Sequence, residues 1–395
     1  MHNHLPPCRL AAKGGTPCSA TQATQQHSFF GDFVLERAVP RDHFLVQLRD
    51  LIDWRPFTHE LSRLYRGRAE QGRPPYEPAL LLKMLFISHL YELSDRQTEE
   101  AVRDSLSLRH FLGLAVDAPV PDATTLVVFR QRLLERAGER GLQAIFAEVL
   151  RQARARGLRL GRIQVVDSVH SWADVHVEKD DQRRRNGKPP RDADARWGTK
   201  GTRRERDETG KQVRRRELFY GYKAHVSLNA KTGFVTSVRV TPGHAYDGHQ
   251  LPSLVEEDLA QGVPVALVAG DRGYDDGENH ELLRQRGIRD ALHLNRYRTE
   301  KRDRHKEPWL RLRERAVYQR GLRQRYRVEQ KFGEMKERHP PQADCRYLGL
   351  LKYAFQAYLT ALAVNLKRLV KLVRSVPFRY QPPPRPYRRQ AAAAA

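Results

Sequence analysis

The chain has 395 residues, enough to bury a sizeable core in two or three domains. No run approaches the ~18 uninterrupted apolar residues of a membrane span, and residues 1–26 lack the apolar core of a signal peptide, so neither a membrane protein nor a secreted one is expected. The 71 Lys and Arg against 47 Asp and Glu give a net charge of +24, which implies a polyanionic partner, nucleic acid ahead of membrane.

Arg outnumbers Lys 56 to 15, which suits bidentate phosphate contacts but also follows from biased coding DNA. Cys8, Cys18 and Cys345 are odd in number and far apart, which argues against a disulfide framework and fits a reducing cytoplasm.

Residues 1–26 are small, polar and rich in Gln and Thr, and read as a disordered tail. Residues 27–157 are helical in pattern. Pro78 to Leu93 is apolar almost all round and so predicts a buried helix. Ser94 or Asp95 caps the next helix, and Asp122 with Thr124 and Thr125 opens a third. Short successive helices ending in a basic one fit a helix-turn-helix-like DNA-binding region or, equally, a bundle that supports the next domain.

At Leu158 the period changes. Residues 162–167 (RIQVVD) read as a buried strand ending in a carboxylate, Asp167. Residues 183–216, with 14 Lys and Arg against 5 Asp and Glu, form a polar insertion expected to be a loop or arm, either disordered or lying on DNA. Tyr220 to Asn229 and Gly233 to Thr241 predict a strand hairpin. Asp247 in TPGHAYDG is a competing acid, but its place before LPSLVEEDL makes a helix cap the better reading. The run 264–270 (PVALVAG) is a second short apolar strand, and it too ends in a carboxylate, Asp271. A helix (278–286), a strand (290–294) and a basic connector (296–327) follow.

Residues 325–336 (RYRVEQKFGEMK) come next. At about 100° per residue Val328, Phe332 and Met335 share one narrow stripe, with Arg325, Glu329 and Lys336 along an adjoining strip. This is either a surface helix with solvated charges or a carboxylate set beside a buried sheet among phosphate-gripping cations. Tyr347 to Val373 predicts a long apolar helix, whose Lys352, Asn365 and Lys367 exclude a membrane span. Residues 376–395 read as a disordered Pro/Arg/Ala tail.

The element order predicts an α/β chain, a mixed sheet with flanking helices over 158–375 preceded by an all-helical region. Sites in such sheets lie at the carboxyl ends of strands, where both aspartates fall. With Glu329 they make a three-carboxylate set able to hold two Mg²⁺ or Mn²⁺ ions and to run an in-line phosphoryl transfer. Singly, each has a plainer role: Asp167 as the cap of a turn, Asp271 as the partner of Arg272. The cations expected on DNA are Arg325 and Lys336, with Arg327, Arg272 and Lys223 beside them.

Asp167 in VVDSVH, the block GYKAHVSLN with GFVTSVRVTPGHAYDG, Asp271 in GDRGYDD, and Arg325, Glu329 and Lys336 together resemble the DDE transposases of bacterial insertion sequences. The resemblance is to the insertion sequence 5 and insertion sequence 1182 group of the insertion sequence 4-like superfamily, and it runs from about Phe29 to Val373. It implies an RNase H-like core and a Mg²⁺-dependent cut-and-paste reaction on terminal inverted repeats, with Asp167, Asp271 and Glu329 as metal ligands and Arg325 and Lys336 on transposon-end DNA. It also implies double-stranded DNA as partner, a homodimer in the synaptic complex and a place on the bacterial nucleoid in the cytoplasm. The signature's Tyr place is Leu322 here, and Pro340-Pro341 replaces a short Gly-containing turn. The competing readings are a catalytically decayed copy that only binds DNA and a structure-selective nuclease on the same fold.

Overall fold

The computed structural model describes residues 34–35, 37–65, 75–206, 212–295, 315–337 and 345–379. The expected tail 1–26, most of the expected tail 376–395, residues 296–314 of the basic connector and Pro340-Pro341 lie outside the described residues.

Among the described residues the first part of the chain is helical: α1 Phe44–Leu51, α2 Arg55–Ser62, α3 Pro78–Leu90, α4 Asp95–Asp104, α5 Leu106–Leu112, α6 Ala123–Arg132 and α7 Gly138–Ala155. α3 is buried on nearly every side, as its apolar composition requires. Ser94 caps α4 in a reciprocal box with Gln97, and the Asp122 carboxylate caps α6 by accepting the Thr125 amide at 2.6 Å. The expected third helix thus begins at Ala123, and it passes through a π-turn at Leu133–Ala137 into α7.

Six strands follow among the described residues: β1 Ile163–Trp172, β2 Arg196–Arg206, β3 Gln212–Asn229, β4 Val235–Pro242, β5 Leu267–Gly270 and β6 Arg289–Leu292. They form one mixed sheet. β3 is antiparallel to β1 on one side and, on the other, pairs first with β2 and then with β4, while β1, β5 and β6 are parallel. The later helices are α8 Val177–Arg185, α9 Leu251–Ala260, α10 Gly277–Gln285, α11 Ala316–Leu322, α12 Tyr326–Glu337 and α13 Leu350–Arg374.

Two expectations change and one is narrowed. β1 does not end at Asp167 but runs five residues further, because β3 goes on pairing with it as far as Trp172–Gly221. Of the loop or arm expected over 183–216, the described residues form an arm with regular structure: α8 runs into it, and β2 pairs with the first half of β3. The segment at Asp247 is a short 3₁₀ turn, Asp247–Gln250, ahead of α9, and the Asp247 side chain does not cap it.

Side-chain alternation gives the sheet two faces. Val166 and Val268 pack with Leu251, Leu254 and Leu283 of α9 and α10. Val165 and Val169 face the other way into a large core built with Val328, Phe332 and Met335 of α12, much of α13 and the α1–α7 region. The stripe expected on residues 325–336 is therefore the buried face of α12. The helical region and the sheet share one core, and Arg130 of α6 ties them further by pairing with Asp95 at 2.9 Å and lying over the Tyr347 ring. No helix among the described residues is long and apolar enough to cross a membrane.

α13 carries Asn365 into this core. Its amide donates to the Val235 carbonyl at 2.7 Å and accepts the Val235 amide at 2.8 Å, satisfying β4 at its first residue. Asn365→Leu would leave both backbone groups buried without partners, an expected loss of about 2–4 kcal/mol readable as a lower urea midpoint at unchanged slope.

Candidate active site

The parallel pairing of β1 with β5 sets the site. The last registered pair is Val165 with Ala269, so Asp167 and Asp271 each stand two residues beyond it on the same face, Asp167 within β1 and Asp271 one residue past the end of β5. That face is the one against which α12 packs. Although β1 continues, Asp167 lies where its parallel neighbour has ended, which opens space beside it.

Each carboxylate is fixed by a local amide: Asp167 Oδ1 accepts the Ser168 amide at 2.8 Å, and Asp271 Oδ1 accepts the Gly273 amide at 2.8 Å. Burial, and then the negative charges of Asp271 and Asp247, push the Asp167 carboxyl up to about 7, against the pull of the Ser168 amide and the Arg325 guanidinium. A cation is what this pair lacks electrostatically.

Asp247, the competing acid that the sequence favours as a helix cap, lies close enough for its charge to act on Asp167. Ser168, the neighbour of Asp167, points to the opposite face and donates its hydroxyl to Asp247 Oδ2 at 2.8 Å. Lys223 of β3 donates to Asp247 Oδ1 at 2.7 Å and to the Ala245 carbonyl at 3.0 Å. Lys223, expected on DNA, is thus committed inside the protein with its side chain only 13 % exposed. His225 Nδ1 lies 4.0 Å from Asp247, and burial lowers its pKa to about 4, leaving a neutral ring.

Tyr274 is a residue that the sequence reading missed. It is fully buried and its hydroxyl has no hydrogen-bond partner, while burial and the charges of Asp167, Asp247 and Asp271 raise its pKa well above the ordinary value. Both residues lie inside blocks already singled out, GDRGYDD and GHAYDG. What local sequence did not reveal was which strand each would face.

Arg325 sits in the turn before α12, and its field reaches Asp167 while its Nη2 lies 4.0 Å from Glu329 Oε1. Its Nε is buried without a hydrogen-bond partner. Glu329 stands one turn into α12 with its side chain 64 % exposed. Among the described residues no three His, Cys, Asp or Glu side chains stand close enough to hold an ion together. The structure brings together Asp167, Asp271, Asp247 and Arg325, and leaves Glu329 at the rim. Arg272 is exposed next to Asp271. Lys336 is on α12, but its side chain lies outside the described residues. Arg327 turns away, its Nε donating to Gln324 Oε1 at 2.8 Å and its side chain lining a cleft at the other end of the sheet. Leu322, in the signature's Tyr place, is half-buried and packs with the cluster of Leu267, Ala269 and Tyr318.

Paired carboxylates on one face, their repulsion only partly offset by Arg325 and all their donors oxygen, fit a hard divalent cation.

Family models match two stretches of the chain. One described as a transposase domain matches residues 33–132, and one described as a transposase DDE domain matches residues 174–366. The chain belongs to the DDE transposases. Solved structures similar to the chain include a piggyBac transposase synaptic complex with hairpin DNA, at 11 % identity and TM-score 0.30, covering 68 % of this chain and 53 % of that one. Two Mos1 transposase structures overlap it at TM-score 0.19. The paired-end complex with the left transposon end has 13 % identity and covers 80 % of this chain and 84 % of that one. The mariner paired-end complex with Mn has 14 % identity and covers 83 % and 88 %. The chain spans about half the length of the piggyBac protein. These overlaps are loose, and the roles given to residues of this DDE transposase rest on its own geometry.

Proposed function

We propose that this transposase cuts DNA at the terminal inverted repeats of an insertion sequence of the insertion sequence 5 and 1182 group and joins the freed ends to target DNA. In chemical terms, water attacks a phosphodiester at each end, and the released 3′-hydroxyl then attacks a target phosphodiester. The observation that carries the reading is the side-by-side placement of Asp167 and Asp271 where β5 ends.

Asp167 and Asp271 would hold Mg²⁺ or Mn²⁺, with Glu329 as third ligand supplied from α12. Two ions bound there would lower the pKa of the attacking water and offset charge on the leaving oxygen. Arg325, between Asp167 and Glu329, would orient the phosphate at the site, with Arg272 and Lys336 on the flanking backbone. Asp247, held by Ser168 and Lys223, positions the strand segment that carries Asp167. A homodimer pairing two ends, acting on the nucleoid in the cytoplasm, completes the reading.

The exposed Glu329 favours one rival, a decayed copy that occupies its ends without cutting. Incubation of the full chain with an end-containing duplex and Mg²⁺ separates the two: a new 3′-hydroxyl end at the repeat boundary is expected, and metal-independent binding with no cut product would leave only the rival.

A further inference from the structure

At the pole opposite the carboxylates, the amino ends of β1, β5 and β6 surround a cleft of about 480 Å³. Arg162, Lys231, Arg289, Arg320 and Arg327 line it over a floor that includes Ile163 and Leu267, and among the described residues no acid lines it. Arg162, Lys231, Arg289 and Arg320 are exposed and have no ion-pair partner among the described residues.

These cations come from four separate places: the entrance of β1, the β3–β4 turn, the entrance of β6 and the α11–α12 region. The backbone beneath them is fixed. The Arg162 carbonyl accepts the Ala266 amide at 2.8 Å, the Ile163 carbonyl accepts the Ala230 amide at 3.0 Å, and Asn229 bonds both backbone groups of Gly161. A Cβ on Gly161 would lie 2.6 Å from the Lys231 Cβ, so the glycine is what lets the β3–β4 turn close over the start of β1. Convergent like charges with no acid among their described neighbours repel one another and do nothing for folding, a pattern expected of an anion-binding surface.

We propose that this cleft grips the phosphate backbone of duplex DNA, as a second contact separate from the carboxylate site. Arg327 belongs to this grip and not to the catalytic end. The cleft and Asp167 are joined by four residues of β1, roughly 13 Å at strand rise, so the contact is near enough to hold DNA that continues past the cut or a second duplex brought alongside it. The open, many-sided array of exposed guanidinium groups suits backbone phosphates more than an enclosed small ligand. The inference takes only the identity of the polyanion from the preceding reading.

The test is the salt dependence of binding of the full chain to a 30-base-pair duplex of arbitrary sequence, followed by fluorescence anisotropy. The Arg289→Gln/Arg320→Gln double variant is compared with Arg140→Gln/Arg156→Gln, which removes the same charge from exposed positions on and just after α7. The cleft variant is expected to bind about tenfold more weakly at ~0.15 M salt, with the slope of log K against log salt shallower by about 2. The control is expected to change less than about threefold, and thermal melts should match the parent for both. If the two variants behave alike, the cleft is not a DNA contact. Unchanged duplex binding with loss only of the thermal shift given by inorganic pyrophosphate would equally overturn the proposal, in favour of a small phosphate ligand. Failure of the parent itself to bind duplex would sink the transposition reading as well, whereas intact parental binding without cleft dependence sinks this inference alone.

Discussion

Asp167→Asn is expected to abolish strand cleavage, by about 10³-fold or more, while raising the melting temperature of the metal-free protein. The first effect follows from removing a metal ligand and its charge from a phosphoryl-transfer site. The second follows from electrostatics. Burial, the Asp271 charge and then Asp247 hold the Asp167 carboxyl at about 7 against an ordinary 3.8, so ionising it costs the fold on the order of 2–4 kcal/mol above pH 7, allowing for its partial contact with solvent. An acid whose folded pKa is raised destabilises increasingly as pH climbs from about 4 to about 7, and contributes no such penalty below. The neutral amide should therefore flatten this part of the pH–stability curve and lift its neutral end, an effect that Mg²⁺ should reproduce in the parent. Thermal melts from pH 4 to 8 with and without Mg²⁺, beside the cleavage assay, decide it. A merely structural Asp167, holding the Ser168 amide as a turn cap, would lose stability on substitution and keep its response to metal small.

The parts of this site that were legible in the sequence are those fixed by short-range pattern. An apolar run stopping at an acid places Asp271 at the end of β5, and a period of 3.6 places Val328, Phe332 and Met335 on the buried face of α12. The misreadings came where a distant chain segment decides. TPGHAYDG before LPSLVEEDL has the local look of a helix cap, yet the Asp247 carboxylate takes its partners from β1 and β3, Ser168 and Lys223, both far away in sequence. The same pairing converts Lys223 from an expected DNA contact into an internal ion pair. The insertion 183–216 lacks apolar alternation, so nothing in it signals a strand; β2 forms there because β3 extends from the sheet and supplies a pairing edge to it. Helical spacing puts Glu329 on the strip of α12 beside its buried stripe, but spacing cannot say how far its side chain extends towards the strands, and it is 64 % exposed.

His280 is where substitution should cost the most stability. Its ring is buried between two carboxylates: Nε2 bonds Asp275 Oδ1 at 2.9 Å, and Nδ1 bonds Asp290 Oδ2. The other oxygens are used as well, Asp275 Oδ2 accepting the Asn295 amide at 2.7 Å and Asp290 Oδ1 the Leu292 amide at 2.8 Å. The cluster thus ties the loop after Asp271 to the end of β6. Burial by itself would lower the His280 pKa, but the hydrogen bonds and charges of Asp275 and Asp290 outweigh it and raise the value to about 9. A base whose folded pKa is raised adds stability that is complete below about 6.5 and is lost as pH rises through 9. The melting temperature of the parent should therefore decline between pH 7 and 9.5, by an amount reflecting on the order of 3 kcal/mol at most. His280→Leu leaves two buried carboxylates facing each other without the cation and should cost about 3–5 kcal/mol at pH 6. The gap between parent and variant should narrow towards pH 9.5, where the parent ring has lost its proton. Because the cluster holds the segment that follows Asp271, His280→Leu should also weaken cleavage at temperatures well below its own melt. Full cleavage by a folded His280→Leu protein would show that the Asp271 loop is held by its own turn, Asp271 to Gly273, and not by this buried charge cluster.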